Sequence, residues 1–176
     1  MYKTVAKRPD WLSKSSIQSI FSVSPCISSD FTEWINFWKH NGFWFFDSPA
    51  VIFDLAQAHG IPIDDMTLFF YQIYEKQWNC ETESWQEVVS EGTFETNVVI
   101  PDQKTVRGYD VVTYSTGNNA ECSPLSCNSL ATEIPTNEHC LLPDLDSAME
   151  LVESGAFRLG EPGPLRLIEV STLDDA

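Results

Sequence analysis

Basic side chains are scarce in this sequence. Ten Lys and Arg stand against 26 Asp and Glu over 176 residues, a formal net charge of −16. Phosphate binding needs clustered Lys and Arg, so the shortage argues against a nucleic-acid surface or an anionic membrane surface. No stretch approaches the ~20 apolar residues of a membrane span. The N-terminus has some positive charge but no continuous apolar run of the signal-peptide kind, and lipidation motifs are lacking at both ends. A soluble, cytoplasmic protein is expected. GxSxG, HExxH, phosphate-loop, dinucleotide and calcium-loop patterns are all missing, so no cofactor is expected. Internal repeats and low-complexity tracts are missing too. The five cysteines are odd in number and lack a secreted context, which points to free thiols rather than a disulfide framework.

What is present is a core-forming composition. Apolar residues make up 43% and aromatics 12%, with six Trp, enough for one domain with a bulky interior. The charge is uneven along the chain. Residues 1–60 hold five basic and five acidic side chains, residues 61–121 three and eleven, and residues 122–176 two and ten. The last two thirds carry the whole excess. Such a surface favours basic partners and speeds encounter with them.

The pattern of elements predicts α+β. The first 25 residues are expected to attach loosely, with a short helix over 15–23 that places Ile17, Ile20 and Phe21 on one side. Residues 30–42 read as a helix with Asp30 as cap, Glu33 completing the box, and Trp34, Phe37 and Trp38 on one face. Residues 43–46 read as a short buried strand. The next helix has Ser48 as cap, Pro49 at its first position and Gly60 after its end, with Val51, Ile52, Leu55 and Ala58 inward. Strands are expected over 67–78, 85–89, 95–101 and 108–115, joined by links too short for crossover helices. Short helices follow over 128–134 and 145–155, the second capped by Asp144 or Asp146 and stopped by Gly155. A last strand is entered through a Pro-Gly-Pro turn. The expected whole is a single domain over 1–176: a mostly antiparallel meander of five or six strands, packed with helices from both ends of the chain.

The segment ECSPLSCNSLATEIPTNEHCLL, residues 121–142, concentrates the reactive side chains. Three readings apply. As a zinc site it offers Cys122, Cys127, His139 and Cys140, although adjacent His139 and Cys140 side chains diverge. As a nucleophile site it offers Cys127 at the N-terminus of a short helix, where unpaired amides stabilise a thiolate, with His139 as base. As a structural segment it places Cys127 and Leu130 inward while Ser123 and Ser126 make turn or cap hydrogen bonds. The structural reading is preferred. His40 and His59 sit near helix ends, where a cation suits the dipole.

Glu81, Glu83, Glu87, Glu91 and Glu95 fall in and after a predicted hairpin and could share one exposed side. They are the candidate partner-binding residues. A small acidic α+β protein without a compelling catalytic constellation suits a non-enzymatic binding protein. Its concrete form is an intracellular inhibitor or immunity-type protein that occludes a basic partner such as a toxin. The competing classes are a small enzyme using Cys127 and His139, and a zinc-stabilised scaffold.

Overall fold

The computed structural model describes residues 2–4, 16–24, 26, 46–64, 66–88, 98–114 and 120–173. The helix expected over 30–42 and most of the strand over 43–46 lie outside the described residues, as do Glu91 and Glu95. The elements are β1 (Tyr2–Thr4), α1 (Pro49–His59), β2 (Met66–Asn79), β3 (Ser84–Glu87), β4 (Thr105–Thr113), a 3-10 turn (Leu130–Thr132), α2 (Leu145–Glu153) and β5 (Leu165–Thr172). The fold is α+β, with one antiparallel sheet. Among the described residues no helix is long and apolar enough to cross a membrane.

The strands run β1–β2–β5–β4, and β3 pairs with the far end of β2. This is not the expected meander. The last strand inserts between β2 and β4, pairing Tyr71 with Val170 on one side and Gly108 with Val170 on the other. The reason is composition. A strand reading LRLIEVST buries seven of its eight residues, and a run to be buried on both faces suits the interior of a sheet rather than its edge. Residues 98–100, expected within a strand, are exposed and irregular instead.

Alternate residues of β5 feed two faces. Leu165 and Leu167 join a core with Val111, Leu130, Leu142, Ala148 and Val152. Ile168 joins Val112, Tyr114 and Val23 on the other side. Helix α2 reaches the first core through Ala148 and Val152, four residues apart and so on one face. Asp144 is its cap, accepting from the Ser147 N–H at 2.8 Å. Helix α1 begins with Pro49 and ends at Gly60 in the left-handed region, as its sequence requires. Ser48 holds the cap position without a side-chain cap bond, and Ala56 rather than Ala58 is buried.

The outer edge of β4 is covered by the chain itself. Thr113 exchanges backbone hydrogen bonds with Glu121 and Cys122, and Tyr109 exchanges them with Leu142. Covering an edge in this way blocks further strand pairing. The close crossing explains Gly108. Its φ is +141°, and a Cβ there would lie 2.6 Å from the Leu142 carbonyl oxygen. Residues 16–24 form no helix and lie along the return segment, residues 137–142. The Gln18 and Ser19 N–H groups donate to the Glu138 carbonyl, and Phe21 N–H donates to that of His139. Ile17, Ile20 and Val23 are buried, so this part of the N-terminal region is packed into the core.

Candidate functional site

The cysteine-rich segment is built around a buried carboxyl. Asp110, on β4, has no solvent exposure. It accepts from Ser22 Oγ at 2.5 Å and from Ser123 Oγ at 2.6 Å. One side chain therefore ties the N-terminal segment and the cysteine segment to the same strand. Ser24 continues the connection: its N–H donates to Ser22 Oγ at 3.1 Å and its hydroxyl donates to the Glu121 carbonyl at 2.7 Å. Thr113 Oγ1 accepts from the Cys122 N–H at 3.2 Å, fixing the other wall.

This scaffold brings together three thiols. The Sγ atoms of Cys26, Cys122 and Cys127 all lie within 4.8 Å of one another. The Cys26 and Cys122 sulfurs are 3.4 Å apart. Cys127 Sγ sits 3.3 Å from Ser24 Oγ. Cys26 is exposed and the other two are half-buried. Burial pushes the Cys122 thiol far above its ordinary value, and its contact with Cys26 adds to the rise. Burial also raises Cys127, while the hydrogen bonds from Ser24 and from the Ser123 backbone work against the rise.

The four-residue zinc set weighed as an alternative from sequence does not assemble. Cys122 and Cys127 meet, but His139 and Cys140 are elsewhere. Cys140 is buried in the first core, at 2% exposure. The His139 ring stacks on Phe21 with 4.2 Å between centroids, and its Nδ1 lies 2.9 Å from Ser19 Oγ. Burial holds its pKa below the ordinary value, with Glu138 opposing and Arg107 adding to the shift. The nucleophile reading also loses its premises. The helix after Cys127 is a 3-10 turn of three residues, too short for a helix-end field. Cys127 and His139 share no hydrogen bond among the described residues, since Cys127 contacts Ser24 and Ser126 while His139 contacts Ser19.

Cys26 is the member of the cluster that sequence reading missed, because its partners are about a hundred residues away. One signal was available: SVSPC at 22–26 and CSPLSC at 122–127 share the Ser-Pro-Cys vocabulary of tight, hydroxyl-rich turns. Asp110 was hidden inside a strand that reads as apolar.

Of the candidate glutamates, Glu81, Glu83 and Glu87 are described and all three are exposed. Glu81 and Glu83 sit in the β2–β3 turn and Glu87 ends β3. Glu83 pairs with Arg158, and Glu87 lies 3.9 Å from Lys76. Asp146, Glu150 and Glu153 are exposed on α2. Trp85 Nε1 donates to Glu153 Oε1 at 2.7 Å, which joins hairpin to helix. The acidic surface therefore spans two elements. No protein-family model, curated protein or solved structure matches the chain, so the function must be read from this geometry.

Proposed function

We propose that this chain is a non-enzymatic, acidic protein-binding protein of the cytoplasm, an inhibitor or immunity-type protein that neutralises a basic partner by electrostatic and steric occlusion. The observation that carries the reading is the charge pattern of α2. Helix C-termini favour cations, because the last carbonyls carry partial negative charge. Here Glu150 and Glu153 occupy the last turn and no basic residue accompanies them there. Asp146 lies four residues before Glu150, a like-charge pair on one side of the helix. Such an arrangement works against helix stability and serves a surface that must stay negative. Trp85 adds an aromatic side chain to the same area, the residue type enriched where binding energy concentrates.

The charge of −16 supports steered, salt-sensitive association. The surface ion pairs of Glu83 and Glu87 do not oppose this, because exposed pairs contribute only about 0–1 kcal/mol and exchange readily for a partner's cations. The test is native mass spectrometry of the protein isolated from its own cells in reducing buffer at low salt. A stoichiometric basic polypeptide, released as salt rises, is the expected finding. A chain that purifies alone under those conditions, or bound to an acidic protein, would oppose the proposal.

A further inference from the structure

The three converging thiols have a use beyond partner binding. We propose that Cys26, Cys122 and Cys127 form a trithiolate site for one thiophilic cation, with zinc(II) as the ion expected. Zinc holds thiolates at about 2.3 Å, which places tetrahedral sulfurs about 3.8 Å apart. The observed spacing, 3.4 Å between Cys26 and Cys122 and no more than 4.8 Å for any pair, brackets that value. Side-chain rotation alone closes the difference.

The convergence comes from three separate pieces of chain. Cys26 follows the packed segment 16–24, Cys122 pairs with the edge of β4, and Cys127 follows the Ser123–Ser126 turn. Hydroxyl hydrogen bonds to Asp110 hold the first and last of these pieces in place. Ser24 Oγ lies 3.3 Å from Cys127 Sγ; turning its proton from the Glu121 carbonyl to a Cys127 thiolate would make it the kind of outer contact that orients a ligand. A disulfide between Cys26 and Cys122 would use two of the three sulfurs and leave the third without a purpose. On binding, three S–H protons pass to solvent and three Zn–S bonds form. Water, which reaches the site beside exposed Cys26, takes the fourth position. No redox change is involved. The site would staple residues 16–26 to β4, coupling metal uptake to the stability of the whole domain.

The experiment uses the full chain, reduced with a phosphine rather than a thiol. Zinc content is measured after gel filtration, and cobalt(II) is added as a spectroscopic probe. The expected result is one metal per chain, intense thiolate-to-cobalt charge-transfer absorption, and a melting midpoint that rises with zinc and falls back with chelator. Cys26→Ser is the decisive variant, because its side chain is exposed and its loss leaves the core untouched. It should weaken binding at least ~10–100-fold with an unchanged far-ultraviolet spectrum. Cys80→Ser, outside the cluster at the turn between β2 and β3, should bind as the parent does. No stoichiometric uptake by the reduced chain would overturn the proposal. So would uptake unaffected by Cys26→Ser, or the same weak uptake in a variant with all three cysteines replaced, which would mark adsorption to surface carboxylates.

Discussion

Replacing Glu150 by Lys should make this protein more stable. The reasoning starts from the last turn of α2, where Glu150 faces the negative end of the helix, with Asp146 one turn before it and Glu153 three residues after. A charge at a helix end interacts with the dipole by about 0.3–1 kcal/mol. A pair at i, i+4 contributes about 0.2–0.5 kcal/mol, with either sign. Glu150→Lys reverses both terms: anion to cation at the C-terminus, and Asp–Glu repulsion to an Asp–Lys pair in the favourable order. Solvent screening at this exposed position holds the sum to about 1 kcal/mol. For a chain of this size that corresponds to a midpoint about 2–4 °C higher. Thermal and urea unfolding at low ionic strength measure it, and the gain should shrink at high salt as the charges are screened. The same substitution should weaken binding of a basic partner. Stability and binding would then move in opposite directions, which distinguishes a functional acid from a merely solvated one. An unchanged or lowered stability at low salt would refute the claim that α2 carries misplaced charge, and with it the main support for the binding surface.

Three further predictions concern the scaffold. Ser22→Ala and Ser123→Ala should each cost about 1–3 kcal/mol in urea unfolding, since each removes a buried hydrogen bond to Asp110. Combined with Asp110→Asn the losses should be less than additive, and full additivity would mean that the three groups do not act as one unit. Gly108→Ala should destabilise by more than about 2 kcal/mol, because the new Cβ meets the Leu142 carbonyl at 2.6 Å in a backbone conformation with φ +141°; wild-type unfolding would show that β4 and the return segment are not in fixed register. His139 should titrate below its ordinary value in the folded state. Below the ordinary pKa of about 6.5 the unfolded chain binds the proton first, so this contribution to stability is present above that pH and is lost as pH falls through the folded pKa. An NMR titration at or above the ordinary value would contradict the burial of this ring.

How much of this was legible depended on the range of the interaction. Local signals worked. Pro49 and Gly60 marked the ends of α1, Asp144 capped α2, and the β-branched and aromatic run of β2 formed a long strand. Order in space did not follow from order in sequence. Nothing local says that β5 inserts between β2 and β4; only the need to cover both of its apolar faces does. Residues 16–23 carry an apolar spacing that suits a helix, but their backbone is engaged by Glu138 and His139, a tertiary contact that outweighs local preference. The site showed the same division. The density of cysteine in 121–142 was visible, while the choice of ligands was not. Cys26 enters the cluster, and Cys140 leaves it for the core, through contacts spanning most of the chain. The acidity of the last two thirds was plain from sequence. Its concentration on α2 beside the hairpin required knowing that Trp85 reaches Glu153.

The most direct test of the binding proposal is the association rate of the basic partner with the wild-type chain and with a variant carrying Glu81→Lys, Asp146→Lys and Glu150→Lys, measured by stopped flow across a range of salt concentrations. The account predicts fast association of the wild type that slows steeply with salt, and slow association of the variant with a much flatter dependence, while both remain folded. Equal rates and equal salt slopes for the two proteins would contradict it.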